Sequence, residues 1–195
     1  AAGWTLDYSK NLITRETMKK LIALAEEADL KRWIEAMFTG EKINATENRA
    51  VLHTALRSFS GEKILVDGSD VMPDIAAVLE KMGEFSDAVR KGKWLGATGK
   101  KIRYVVNIGI GGSDLGPRAI YLALENWAKV TGNLKMKAAF ISNVDPDDAA
   151  GVLSNLDLAH TLFILVSKSG TTLETLTNES FVKDALVKAG LNPAN

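Results

Sequence analysis

The sequence predicts an α/β protein with a helical N-terminal segment, followed by a parallel sheet that helices cover on both faces. Two observations carry this prediction. The first part of the chain repeats apolar residues at helical spacing, as in Met18, Leu21 and Ile22. The second part alternates short apolar runs, such as residues 162–166, with helical stretches. Strands that are apolar throughout are typical of parallel sheets buried between helices.

The first predicted domain, residues 1–95, is a helical segment that we expect to pack on the core. Helices are predicted at residues 14–29, 33–38 and 46–57 and from Pro73 to Gly92, and a short extended piece at 64–66. Proline is tolerated in the first turn of a helix, and glycine favours helix C-termini. Pro73 therefore indicates a helix start, and Gly40 and Gly92 indicate helix ends.

The second predicted domain, residues 96–195, contains the sheet. Strands are predicted at residues 104–108, 138–142 and 162–166. Helices are predicted from the glycine-rich turn after the first strand to residue 130, at residues 146–153 and at residues 173–188. A glycine-bearing link at residues 95–101 precedes the first of these strands. This order of strands and helices predicts βαβ units.

Composition excludes several classes of function. The 195 residues carry no net charge, so no basic field attracts nucleic acid or an anionic membrane. The absence of cysteine excludes disulfides and thiolate chemistry. His53 and His160 lie far apart without ligand spacing, so no metal site is expected. No apolar run or N-terminal leader pattern indicates a membrane span or a signal peptide, and we expect a cytoplasmic protein.

A glycine-rich loop, residues 109–117, follows the first predicted strand and begins a helix. Such a loop lets a ligand approach backbone N–H groups at a helix N-terminus, which favours an anion. The dinucleotide fingerprint requires glycine where Asp114 stands, and the nucleotide P-loop requires lysine where Pro117 stands. A purely structural tight turn stays an alternative. Asp114 is expected to hydrogen-bond the turn backbone.

A second polar loop follows the third predicted strand and consists of Ser167, Lys168, Ser169, Gly170, Thr171 and Thr172. Its hydroxyls donate hydrogen bonds, and its lysine compensates the charge of a phosphate. Thr171 with Glu174 matches a capping box, so one hydroxyl has a structural explanation. Capping does not explain the other hydroxyls or the lysine. Because both loops follow parallel strands, we expect them to converge on one small phosphate ester.

Three segments together resemble glucose-6-phosphate isomerases. They are residues 40–53, with the stretches GEKIN and RAVLH, residues 106–117 (VNIGIGGSDLGP) and residues 167–175 (SKSGTTLET). The resemblance implies a three-layer sugar isomerase (SIS-type) domain. It also implies that Gly112 and Ser113 contact the sugar, while Ser167, Lys168, Ser169 and Thr172 hold the phosphate and Gly170 and Thr171 shape the loop.

The resemblance further implies the reaction. The family interconverts glucose 6-phosphate and fructose 6-phosphate by ring opening and proton transfer through an enediol, without metal or organic cofactor. Its base and ring-opening groups come from later parts of the chain, so no catalytic residue is assigned within these 195 residues. The fragment alone is expected to be inactive, and the full-length protein to be a homodimer.

Two other functions are compatible with parts of the pattern. A non-catalytic sugar-phosphate sensor shares the hydroxyl-rich loop, but the motif at residues 40–53 argues against it. A nicotinamide-dependent oxidoreductase conflicts with Asp114 and lacks an acidic residue at the end of the second strand. His53 and Arg49 are expected to be packed helix residues, since a lone histidine is more often structural.

Overall fold

The computed structural model describes residues 3–193, so the outer ends of the two predicted domains, residues 1 and 195, lie outside the described residues. The chain divides into two compact units, Ala1–Lys81 and Met82–Asn195. The division falls inside a long helix. The predicted domain boundary after residue 95, and the packing of the first segment on the core, stay predictions.

The first unit begins with two helices, α1 (Arg15–Glu27) and α2 (Leu30–Thr39). Thr14 caps α1, because its hydroxyl accepts a hydrogen bond from the backbone N–H of Thr17 at 3.1 Å. Helix α2 ends at Gly40, whose φ of 87° is left-handed. A Cβ at this position would lie 2.5 Å from the carbonyl oxygen of Leu65. Both helix predictions are confirmed.

The helix predicted at residues 46–57 is wrong. Asn44 and Arg49 form an isolated antiparallel bridge around a tight turn, in which Asn48 adopts a left-handed φ of 51°. The side-chain oxygen of Asn44 accepts a hydrogen bond from the Glu47 N–H at 3.3 Å. Asparagine side chains compete with helical hydrogen bonds in this way. Helical structure is limited to a single 3₁₀ turn, Ala55–Arg57.

A two-stranded hairpin follows, formed by β1 (Leu65–Val66) and β2 (Ser69–Asp70). Its two-residue turn, Asp67 and Gly68, has φ angles of 51° and 79°. Positive φ at both central residues is the requirement of a type I′ turn, and Asp-Gly is one of the sequences that meet it. Only the first of these two strands was predicted, as an extended piece at residues 64–66. The Asp-Gly dipeptide is the sequence signal for a hairpin here.

Helix α3 (Met72–Arg90) connects the two units. Pro73 lies in its first turn, as predicted, and Gly92 follows its end with a left-handed φ of 67°. Within this helix only Val89 is buried, while Val78 and Met82 are more than half exposed. The chain then forms a small turn closed by a bridge between Leu95 and Lys101.

The second unit contains a parallel three-stranded sheet in the order β4-β3-β5. Its elements are β3 (Tyr104–Ile108), α4 (Gly112–Val130), β4 (Lys137–Ile141), α5 (Pro146–Ser154), a 3₁₀ turn (Leu158–His160), β5 (Thr161–Leu165) and α6 (Leu173–Lys188). The central strand pairs Ile108 with Ile141 on one side and with Leu165 on the other. The predicted strands and the helices α5 and α6 of this unit are confirmed within one residue at each end. Helix α4 ends at Val130 as predicted, but it begins at Gly112, inside the predicted loop 109–117.

Helices cover both faces of the sheet. Val106, Ile108 and Ile141 are fully buried and cluster with apolar side chains of α5 and α6. Asn107 and Phe140, which alternate with them along the strands, instead contact α4 on the opposite face. The parallel sheet with helices on both faces is therefore an α/β arrangement, as predicted. Among the described helices, none is long and apolar enough to cross a membrane.

Candidate functional site

Three loops leave the sheet at the same edge, each after the carboxyl end of a strand. The sheet register aligns Ile108, Ile141 and Leu165, so the three strands end side by side. The glycine-rich loop follows the central strand β3, and the hydroxyl-rich loop follows its neighbour β5. Ligands of open α/β sheets bind at such an edge. The two predicted binding loops are thus brought next to each other.

The glycine-rich loop turns directly from β3 into α4. Gly109 approaches Ser113 so closely that a Cβ at position 109 would lie 2.8 Å from both the Cβ and the carbonyl oxygen of Ser113. The Nδ2 of Asn107 donates to the same carbonyl oxygen at 3.0 Å. Asn107 is 8% exposed. The end of β3 therefore contacts the first turn of α4 in two ways, through the close approach of Gly109 and through the side-chain amide of Asn107.

Gly111 is the N-cap of α4, with a φ of 55° and no side-chain cap. The N–H groups of Ser113 and Asp114 donate to the carbonyl oxygens of Ile110 and Gly111, at 3.1 and 3.0 Å. The positive end of the helix dipole favours electronegative oxygen atoms at this end of α4. Gly112 and Ser113 form the first turn and lie beside the sheet edge, where the resemblance places the sugar.

Asp114 does not bond the turn backbone, so that prediction is wrong. Its carboxylate is buried and accepts a hydrogen bond from the Nε of Arg118 at 3.0 Å. The Nη2 of Arg118 lies 3.0 Å from the same carboxylate and donates to the hydroxyl of Ser142 at 2.8 Å. A guanidinium one turn away competes better for a buried carboxylate than a neutral N–H does. The four-residue spacing of Asp114 and Arg118 was the signal for this pair.

The hydroxyl-rich loop is closed by its own side chains. The Ser167 hydroxyl lies 2.9 Å from the Thr172 hydroxyl and accepts a hydrogen bond from the backbone N–H of Gly170 at 3.1 Å. The Ser169 hydroxyl accepts hydrogen bonds from both the N–H and the hydroxyl of Thr171. Gly170 has a left-handed φ of 71°. The backbone N–H groups of Gly170 and Thr171 thus both donate to hydroxyls of the same loop.

The predicted capping box of Thr171 and Glu174 is wrong, because α6 begins one residue later. Thr172 is the N-cap, and its side chain makes no capping hydrogen bond. Its hydroxyl is directed to Ser167 instead. Thr171 and Glu174 are exposed. Lys168 is an exposed residue of the same loop and takes part in an interaction within the protein.

Helix α6, which follows this loop, contributes two buried polar side chains. Thr175 and Asn178 are 2% and 0% exposed. The hydroxyl of Thr175 and both polar atoms of the Asn178 amide have no hydrogen-bond partner among the described residues. Buried polar atoms of this kind commonly bind an ordered water molecule.

Other titratable residues of interest belong to other elements of the chain. His53 and Arg49 are exposed and lie outside helices, so the prediction that they are packed helix residues is wrong. The side chain of Glu179 pairs with Lys183 at 2.7 Å, as a helix-surface residue does. Within residues 3–193, no group of three or more histidine, aspartate or glutamate side chains is arranged to hold a metal ion.

Known proteins match almost the whole chain. A glucose-6-phosphate isomerase of Roseiflexus sp. (strain RS-1) is 56% identical over 178 residues, which are 91% of this chain and 32% of that protein. One of Methylococcus capsulatus (strain ATCC 33009 / NCIMB 11132 / Bath) is 56% identical over 172 residues, 88% of this chain and 31% of that protein. The chain thus spans about a third of the length of these relatives.

A solved structure gives the same result for the fold. The crystal structure of a glucose-6-phosphate isomerase from Chlamydia trachomatis D/UW-3/Cx superposes with a TM-score of 0.70 at 32% identity, over 93% of this chain and 34% of that one. Residues 7–195 match the family described as phosphoglucose isomerase. This matched range includes both loops at the carboxyl ends of the strands. This chain belongs to the phosphoglucose isomerase family.

Proposed function

We propose that the chain supplies the sugar-phosphate-binding part of an aldose–ketose isomerase that interconverts glucose 6-phosphate and fructose 6-phosphate. The observation that carries the proposal is that a glycine-rich loop and a hydroxyl-rich loop follow neighbouring strand ends in a chain of the phosphoglucose isomerase family. Neighbouring strands lie about 4.8 Å apart, so one small molecule can contact both loops.

The phosphate is assigned to the loop after β5. Its hydroxyl groups, at Ser167, Ser169, Thr171 and Thr172, are already ordered by hydrogen bonds among themselves. Hydroxyl hydrogens rotate readily, so the same groups can donate to phosphate oxygens without moving the backbone. The N-terminus of the 16-residue helix α6 and the Lys168 ammonium supply positive charge. This loop holds the non-reacting end of the substrate.

The sugar is assigned to the loop after β3. With the phosphate held after β5, the carbon chain reaches the first turn of α4 at Gly112 and Ser113. Gly112 is exposed and has no side chain, so a sugar hydroxyl can approach its backbone closely. Ser113 adds a hydroxyl that both donates and accepts. Holding both ends of an open-chain sugar aligns C1 and C2 for proton transfer.

The proton transfer itself is assigned to residues outside this chain. Moving a proton between C2 and C1 needs a base within hydrogen-bond reach of the substrate. Asp114 is the buried carboxylate nearest in sequence to the sugar loop, but Arg118 engages it. Glu174 is exposed after the phosphate loop. We therefore assign no base, metal or cofactor within these residues.

A coupled assay tests the proposal in two arms. A full-length family member that carries these 195 residues is expected to convert fructose 6-phosphate to glucose 6-phosphate, detected by a dehydrogenase specific for glucose 6-phosphate. The 195-residue chain alone is expected to show no turnover. An inactive full-length enzyme would contradict the proposed reaction. Robust turnover by the chain alone would place the base within it, and Asp114→Asn and Glu174→Gln would then locate it.

We propose a cytoplasmic homodimer for the full-length protein, with no nucleic acid and no membrane as partners. The zero net charge supports the absence of nucleic acid. Sedimentation of the full-length protein measures the number of subunits directly.

A further inference from the structure

The loop that we assign to the sugar is rich in glycine. Gly109, Gly111 and Gly112 lie within four consecutive positions, and glycine loses more backbone freedom on ordering than any other residue. The helix that follows has no side-chain cap. A loop that must place Gly112 and Ser113 against a substrate therefore needs contacts from outside itself.

Arg118 provides such a contact on the side of β4. Its guanidinium joins Asp114, in the first turn of α4, to Ser142, the first residue after β4. The same group lies over the ring of Phe140 in β4, 5.0 Å from the ring centroid. Asp114 is 4% exposed, so this bridge is shielded from solvent at its acidic end. The start of the helix is thereby fastened to the neighbouring strand.

We propose that Arg118 is a positioning residue of the sugar-phosphate site, which bridges Asp114 to Ser142 and so fixes Gly112 and Ser113 at the sheet edge. The guanidinium suits this role because its rigid fork of donors reaches two acceptors at once. Asn107, in the central strand, donates to the Ser113 carbonyl. Arg118, in α4 itself, links the next residue, Asp114, to Ser142 after β4. The two contacts tie the first turn of α4 to two different strands.

This inference rests on the proposed function and predicts a specific division of effects. The phosphate loop follows β5, on the other side of β3 from β4. Loss of the Arg118 bridge is therefore expected to misplace the sugar and leave the phosphate contacts intact. Small misplacements of a reacting group lower kcat by as much as about a hundred-fold. The affinity for inorganic phosphate, measured as a competitive inhibition constant, should stay unchanged.

The test uses a full-length enzyme that carries this chain. Arg118→Lys keeps a cation beside Asp114 but removes the fork, and we expect kcat to fall about ten-fold or more. Ser142→Ala keeps the whole ion pair and breaks only the bridge to β4, with an expected loss of about three- to ten-fold. This second variant is needed because disturbing the cation beside a buried carboxylate can unfold the protein. In the Arg118→Lys background, Ser142→Ala should add little, because the two side chains act through one bridge.

The matched control is Lys129→Met, which removes an exposed cation in the last turn of the same helix. It should leave kcat, KM and phosphate inhibition unchanged. The proposal is overturned if both bridge variants keep kcat within about two-fold of the parent enzyme. It is also overturned if phosphate affinity falls in parallel with kcat, because that outcome means general disorder of the sheet edge. An inactive parent enzyme would instead contradict the proposed function, so the two failures are distinguishable.

Discussion

The hydroxyl groups of Ser167 and Thr172 lie 2.9 Å apart and join the two ends of the loop between β5 and α6. The Gly170 N–H donates to the same Ser167 oxygen at 3.1 Å. Ser167 therefore ties the middle and the end of the loop to the strand that precedes it. These hydrogen bonds order the loop from within, and a loop ordered by its own contacts loses less entropy on binding a ligand.

Removing these hydroxyls should distinguish neighbouring threonines. Thr172→Ala loses the partly buried contact with Ser167, and we expect the free energy of unfolding to fall by about 1 kcal/mol. Thr171→Ala removes an exposed hydroxyl that caps no helix, so its effect should stay below about 0.5 kcal/mol. Urea denaturation measures both. Equal losses for the two variants would contradict a stabilising contact between the Thr172 and Ser167 hydroxyls.

Lys168→Ala tests the phosphate assignment. A charge-assisted hydrogen bond contributes about 1.5–3 kcal/mol, which corresponds to a loss of about ten- to hundred-fold in kcat/KM for the phosphorylated sugar. Because the phosphate is held in both ground and transition states, KM should rise first. Kinetics of the full-length enzyme measure these constants.

Free sugar without phosphate is the control for Lys168→Ala. The variant should hardly change its weak isomerisation, because the missing contact is one that this substrate never makes. The same proportional loss with both substrates would mean that Lys168 supports the fold or the chemistry, and the phosphate assignment would have to be abandoned.

Gly109→Ala should damage the start of α4. The new methyl group would lie 2.8 Å from Ser113, a distance that forces the helix away from the strand. Overpacking of this kind costs about 1–3 kcal/mol, and the sugar loop moves with the helix. The matched control is Gly151→Ala in α5, where the added Cβ meets nothing within 4 Å. Replacing a mid-helix glycine there should stabilise the protein by about 0.5–1 kcal/mol. Thermal denaturation of both variants gives the comparison.

The raised pKa of Tyr121 predicts that the protein loses stability in alkali. Burial raises the pKa of the Tyr121 hydroxyl, and its 2.9 Å hydrogen bond to Glu125 adds to the rise. A raised folded-state pKa stabilises the protein fully below the unfolded value of about 10, and this contribution disappears as pH rises through the folded value. The stability difference between the parent and Tyr121→Phe should therefore shrink above about pH 10. Denaturation midpoints across this range measure it, and a constant difference would contradict the assignment.

By itself, the sequence determined the order of elements in the second unit and the location of both loops. Apolar runs and glycine punctuation are local signals, so β3, β5 and α6 were predicted within a residue at each end. The same local signals failed at residues 46–57, where apolar residues at helical spacing concealed the bridge between Asn44 and Arg49. A local turn, in which the Asn44 side chain accepts a hydrogen bond from the Glu47 N–H, outweighs weak helix propensity there.

Only the tertiary structure decided which side chains hold the loops in place. Arg118 reaches Ser142 across 24 positions of sequence, and Asn107 reaches the Ser113 carbonyl because α4 folds back over β3. The sequence also could not assign the partner of the Thr172 hydroxyl, which depended on where α6 begins. A hydrogen bond forms between the groups that packing brings within about 3 Å, and that proximity is a property of the folded sheet edge rather than of any local motif.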